Sequence, residues 1–300
     1  MTEMNMMPAV TDTDASAVNP VAHFLGAFSI EITPKHIEKI DLLAERLQPG
    51  SNVYIAMIEK DDQAGITAAA RAVRDAGLEP IPHVPSRFVP TAQDLDNWLA
   101  SYAGEAGVTT ALVLGGGAAQ PVGEFDAAIQ LMQTGLFAKH GINRLGMAGH
   151  PEGNPDIERN VGKPALLQAL KEKQKFVEDA GIEAHIATQF LFEAGPVEAW
   201  AEELRNEGIT LPIHVGVPGP ATLKTLVKYA ALCGVGASAK FIRKQAMNIT
   251  KLMSVSAPDG FVAGLADLHM RRPELGISRA HLYPFGGFDR LFDWLDEARS

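Results

Sequence analysis

From residue 24 onward, short apolar runs alternate with segments whose apolar residues recur every three or four positions. Runs at 24–32, 52–58, 79–84, 110–115, 143–148, 184–190, 211–217 and 279–284 have the length and residue types of strands. Between them the helical period predicts helices over 35–47, 64–76, 92–105, 124–138, 163–180, 196–207 and 219–233. Two more, 240–253 and 259–271, precede the last strand. Gly77, Gly181 and Gly208 stand where helices should stop. Strict strand–helix alternation predicts a parallel sheet, and eight strands is the number that closes a barrel. A doubly wound open sheet, the competing α/β arrangement, usually has fewer strands. The expected fold is therefore one (β/α)8 TIM-type barrel over residues 23–300, with extra helices before the last strand. Residues 1–22, rich in Met, Ala and Thr, read as a flexible tail.

Composition narrows the function classes. The 46% hydrophobic content supplies a large core. A formal net charge of -10 argues against a nucleic-acid or anionic-membrane surface. The single cysteine, Cys233, excludes an internal disulfide and a cysteine-rich metal site, and reads as a packing residue at a helix end. No apolar run approaches the ~18 residues of a membrane span. The first residues lack the basic start and apolar run of a signal peptide, so the expected location is cytoplasmic.

In a barrel of this kind the chemistry lies at the C-terminal ends of the strands. Those positions hold Glu31, His83, Gly115-Gly116-Gly117, His150 with Glu152, Gln189 and Gly216. Glu31 interrupts an apolar strand; an ionised carboxylate is costly there, which predicts a raised pKa and a proton donor. The plainer reading is a strand-end acid that is solvated or paired with a lysine. His83, between prolines, is as a type more often a hydrogen-bonded structural residue. The three glycines permit close approach of a flat or phosphorylated ligand, and equally suit a plain turn. No GxGxxG or P-loop follows a strand, which argues against a Rossmann nucleotide site. His150 and Glu152 lack a third ligand at metal spacing. Gln189 offers an amide to a heterocycle edge, and Phe190 and Phe192 offer either stacking or core packing. Gly216-Val217-Pro218-Gly219-Pro220 reads as a helix opening with free N–H groups, a candidate anion site.

Together, Phe28-Ser29-Ile30-Glu31-Ile32-Thr33-Pro34, Pro82-His83-Val84, Gly149-His150-Pro151-Glu152, Ala187-Thr188-Gln189-Phe190-Leu191-Phe192 and Gly216-Val217-Pro218 resemble the methylenetetrahydrofolate reductase family in order and spacing. The resemblance runs from about residue 24 to 296. It implies an eight-fold β/α barrel that usually carries FAD. Such enzymes pass hydride between NADH or NADPH and 5,10-methylenetetrahydrofolate, giving 5-methyltetrahydrofolate, and the same site runs in either direction. By position, Glu31 resembles the family's general acid and Gln189 its folate-contacting glutamine. Phe192 belongs to that substrate-side strand end, and His83 resembles a histidine near the flavin.

The departures from the family pattern are specific. Gly117 stands where an aspartate is usual, His150 where many members have tyrosine, and Asn154 where many have histidine. Ala165 precedes Leu166-Leu167 where an aspartate is frequent, and the lysine expected on the following helix falls at Lys171 or Lys175. Most of these positions touch flavin or pterin in the family: Gly117 is expected on the substrate side, and Gly115, Gly116, His150, Glu152, Asn154, Ala165, Lys171 and Lys175 on the cofactor side, so the resemblance implies FAD that is loosely held. The alternative is a non-redox pterin-binding barrel acting in methyl transfer. An aldolase-type barrel is disfavoured because no lysine stands at a strand end. Lys240, Arg243, Lys244 and Arg290 are candidates for a polyglutamate tail, or a solvated basic face. Tetrahydrofolate derivatives and NAD(P)H are the expected partners, and a homo-oligomer is compatible with the chain.

Overall fold

The computed structural model describes residues 19–58, 63–154, 157–159, 162, 164–232 and 253–300. The alternation of its apolar runs closes into a ring of eight parallel strands: β1 (Phe28–Ile32), β2 (Asn52–Ile55), β3 (Glu79–Pro85), β4 (Thr110–Leu114), β5 (Arg144–Gly149), β6 (Glu183–Phe190), β7 (Ile213–Pro218) and β8 (Ile277–Tyr283). Each strand pairs with the next, and β8 returns to pair with β1 through Phe28–Ala280, Ser29–His281 and Ile30–Leu282. The (β/α)8 barrel expected from the pattern is the observed fold.

A strand's side chains alternate between its two faces, and here the two faces differ in kind. The outward set is apolar and sealed under helices: Ile30 and Ile32, Val53 and Ile55, Val84, Val113, Leu145 and Met147, Ile186, Val215 and Val217, Leu282, all at most 1% exposed. Burying each such side chain contributes about 1.5–3 kcal/mol. The inward set is largely polar. Contacts between non-adjacent strands, Glu31 with His83 and Tyr54 with His185, run through the ring's interior.

Several boundaries differ from the pattern. Residues Pro20–Phe24 form a short helix capped by the Asn19 side chain, so the first strand starts at Phe28 rather than 24. The helix expected over 35–47 begins as a tight 3₁₀ turn, Pro34–Lys39, because Pro34 fixes its first position. The one expected over 124–138 is two, Ala128–Gln133 and Leu136–Lys139, split at Gly135. The expected 219–233 helix starts only at Leu223, since Ala221–Thr222 pairs antiparallel with Val255–Ser256. An unforeseen helix, Phe288–Arg299, follows β8 and buries Phe288, Leu291, Phe292, Trp294 and Leu295. The expected 240–253 helix, except Met253, lies outside the described residues, as do Cys233, Lys240, Arg243 and Lys244. Arg290 is exposed in the first turn of the last helix. No helix among the described residues is long and apolar enough to cross a membrane.

Candidate active site

Glu31 sits at the mouth end of β1, and alternation from the buried Ile30 and Ile32 turns it inward. Its Oε2 lies 3.4 Å from His83 Nε2 on β3 and 3.5 Å from His281 Nε2 on β8. The His83 nitrogen is buried and misaligned for a hydrogen bond, so that contact is electrostatic. His281, fully buried, is oriented from behind by Ser29, whose Oγ is 2.9 Å from its Nδ1. The carboxyl therefore does not have the raised pKa expected from its apolar strand. Burial, the largest influence, pushes it up, but His281 and His83 outweigh that and hold it at about 2. The expectation failed because Glu31 faces histidines, not the apolar side of its own strand.

His281 was not singled out from the sequence. Its signal was available: Arg279, His281 and Tyr283 alternate with Ala280 and Leu282, which marks a polar inner face on β8.

Gln189 stands in an irregular stretch of β6, where the register with β7 shifts between Ala187 and Phe190. Thr188 holds the irregularity. Its Oγ1 accepts from the Gly216 N–H and donates to the Gln189 carbonyl, both at 2.8 Å, while the Tyr283 hydroxyl donates to the Thr188 carbonyl at 3.2 Å. A Cβ at residue 216 would stand 2.7 Å from the backbone of Thr188 and Gln189, so only glycine admits this approach. The free N–H groups expected at 216–220 are consequently absent. Gly216 is bound to Thr188, Gly219 donates to the Tyr283 carbonyl at 2.8 Å, and no helix opens there. Beside Gln189, Phe192 joins an aromatic wall with Phe190, Tyr229, Tyr283 and Phe285. Tyr229 and Phe285 stack at 4.2 Å, and Phe190 meets Phe192 edge-on at 5.8 Å. Tyr229, Tyr283 and Phe285 were not foreseen, since their strands and helix meet only when the ring closes.

The β4–β5 side holds the glycines and the polar loop. Arg87 pins the loop after β4: its N–H donates to the Gly115 carbonyl, and its guanidinium donates to the carbonyls of Ala118 and Asp126. Gly116 has φ +88°, and a Cβ there would meet Pro85 at 2.8 Å; at Gly115 and Gly117 a Cβ would meet nothing within 4 Å. Asn154 is drawn into capping, its Oδ1 accepting from Ile157 N–H at 3.2 Å. Glu152 is half-buried in the turn before it, and the Ala165 N–H bonds back to Gly162.

The lysine assignment needs correcting. Lys171 pairs with Glu207 at 2.5 Å and Lys175 with Asp179 at 2.9 Å, both on outer faces of helix Pro164–Ala180. Lys173, between them, is the one turned inward, only 8% exposed. Burial lowers its amine to about 8. Burial, and then the Lys173 charge, lower the neighbouring His150 to about 4. The helical turn explains the miss: Lys171 and Lys175, four apart, share one face, Lys173 lies on the opposite one, and spacing alone did not say which face turned inward.

The site thus has one ionised carboxylate held by two histidines, a bulged amide beside an aromatic wall, a glycine loop after β4, and a lysine buried beside His150. A family model described as methylenetetrahydrofolate reductase matches residues 27–266, and the chain belongs to that family.

Proposed function

We propose that the protein interconverts 5,10-methylenetetrahydrofolate and 5-methyltetrahydrofolate, with hydride exchanged with NADH or NADPH. Membership of the family supports a folate oxidoreductase. The observation that carries the finer reading is Glu31 between His83 and His281 at the barrel mouth. Opening the five-membered ring needs a proton at N10 and leaves an N5 iminium cation. A carboxylate held near pKa 2 is ionised at neutral pH, which suits the second requirement directly: it stabilises the cation. The group placed to carry the proton to N10 is Glu31, whose Oε2 lies 3.5 Å from His281 Nε2. Gln189 presents its amide to the pterin edge, and Phe192 with its aromatic neighbours provides a stacking face.

The β4–β5 side fits a phosphate-bearing cofactor in part. Lys173 and His150 are buried together, and the Lys173 amine makes no salt bridge among the described residues, an arrangement that favours an anion. Gly115 and Gly117 leave open space where larger side chains would fill it. FAD, when bound, supplies the relay of hydride between nicotinamide and folate. Gly117 and Ala165 contribute no side-chain hydrogen bond, and Asn154 spends its carbonyl oxygen on a cap. Each lost bond costs about 1 kcal/mol, so FAD is held loosely and purifies substoichiometrically.

Glu31→Gln tests the reading. General acid catalysis contributes roughly 10²–10⁴-fold, so folate turnover should fall by about 10² or more while nicotinamide oxidation with an artificial acceptor persists. Folate turnover near that of the unaltered protein would remove Glu31 from the chemistry.

A further inference from the structure

Deeper in the ring lies a second polar cluster that the folate chemistry does not use. Burial raises the Tyr54 phenol above its usual range, so it stays protonated, and its hydroxyl is hydrogen-bonded to His185 Nε2 at 2.6 Å. The His185 ring stacks on His214 of the next strand, centroids 4.1 Å apart and planes within 19°. His214 in turn is the register partner of Arg279 on β8. His214 is 7% exposed and its Nδ1 is buried without a partner; Arg279 Nε is likewise buried and unpartnered.

A guanidinium is always charged, and among the described residues no carboxylate is bonded to Arg279. Glu31, the acid that β1 turns into the ring, is already engaged by His83 and His281. Leaving the Arg279 donor and the His214 ring nitrogen unpaired in the same buried place is costly for both, and with the His214 proton on Nδ1 one acceptor satisfies both at once. The occupant's sign follows from the neighbours. Arg279 bears on His185 and His214, and Arg144 on His185, so a cation is disfavoured. No group of three or more His, Cys, Asp or Glu among the described residues is placed to hold a metal. Arg279 is only partly buried and lies in the lower half of its strand, which leaves an approach from the N-terminal end of the ring, opposite the mouth.

We propose that the barrel floor binds a small monovalent inorganic anion, of the chloride class, that accepts from Arg279 Nε–H and His214 Nδ1–H. The site is separate from the folate mouth. Its occupancy neutralises the guanidinium and ties β7 to β8.

The test uses the purified full chain at one pH. Replacing sodium isethionate, whose anion is too bulky for the floor, by sodium chloride at equal ionic strength should raise the melting temperature by on the order of 2–4 °C. In Arg279→Leu the rise should vanish. Crystals grown with bromide should show an anomalous peak within hydrogen-bond distance of Arg279 Nε and His214 Nδ1. Equal melting in the two salts overturns the proposal, as do bromide peaks confined to the surface, which would mean an adventitious ion only. Should Arg279→Leu not fold, the bromide position in the unaltered protein decides alone.

Discussion

At the scale of single residues, the candidate site turns on which side chains have partners. Lys171 and Lys175 are neutralised by Glu207 and Asp179 on the solvent side of their helix, whereas Lys173 is buried and makes no salt bridge among the described residues. A charge-assisted hydrogen bond is worth about 1.5–3 kcal/mol, so Lys173→Met should weaken FAD by roughly 10-fold or more. Lys171→Met and Lys175→Met, which break only exposed pairs, should change it by less than about 5-fold. Equilibrium dialysis separates the three, and equal loss in all would mean that the helix does not face the cofactor. Ser29→Ala, which removes the oxygen 2.9 Å from His281 Nδ1, should slow folate turnover but not nicotinamide oxidation by an artificial acceptor; equal slowing of both would assign Ser29 to the fold alone. That Glu31, His83, Gln189 and the glycines stand at or just after strand ends was legible in the sequence, because the apolar runs mark where each strand stops. The direction of Glu31's pKa was not legible, because its cause is His281, 250 residues away. A chain position tells what a residue is, and only the fold tells what faces it.

At the scale of elements, the β6 irregularity is the feature that places Gln189, and it rests on one hydroxyl. Thr188→Val keeps the shape and removes the acceptor of the Gly216 N–H, leaving a buried donor unpaired at about 1–3 kcal/mol. Urea unfolding should show that loss, and the KM for folate should rise more than kcat falls as Gln189 loses its aim. Thr188→Ser should restore both; no recovery would mean that the methyl, not the hydroxyl, holds the bulge. The strands and most helices could be read from periodicity, since outward apolar and inward polar positions alternate cleanly. The bulge could not, because one extra residue leaves the local pattern of Thr188-Gln189-Phe190 unchanged. The final helix was legible in principle: Phe288, Leu291, Phe292 and Leu295 follow the helical period, and Trp294 adds a bond from its Nε1 to Asp259 at 2.7 Å. The late start of helix Leu223–Leu232 was not, since Ala221–Thr222 is held in a two-residue pair by Val255–Ser256, more than thirty positions on.

At the scale of the whole molecule, the polar interior makes the fold sensitive to acid. Burial first, then neighbouring positive charge, depresses the folded pKa of His150 to about 4, of His185 to about 3 and of His214 well below 6.5. All three stay neutral in the fold while the unfolded chain takes up protons below about 6.5. Their contribution is thus fully present above 6.5 and is lost as pH falls toward the folded values. Each group costs about 1.4 kcal/mol per pH unit in that window, so the three together remove roughly 4 kcal/mol per unit. Glu31, depressed from 4.5 to about 2, adds a further loss only below 4.5. Urea midpoints should therefore drop steeply between pH 6 and 5; a flat profile there would mean that these histidines are protonated in the fold. The closure of the ring has another consequence, one of timing. Glu31 lies on the first strand and His281 on the last, and Arg299 latches the end of the chain to the Leu25 carbonyl at 2.6 Å. At the usual pace of synthesis, about 5–20 residues per second, β1 waits roughly 10–50 s for the strand that covers its open edge. Throughout that interval the nascent chain offers an unpaired strand to its neighbours, and the Glu31 carboxylate has one of its two histidines. The ribosome thus completes the Glu31 cluster with nearly its last residues, and a chain stalled before β8 presents an exposed strand edge.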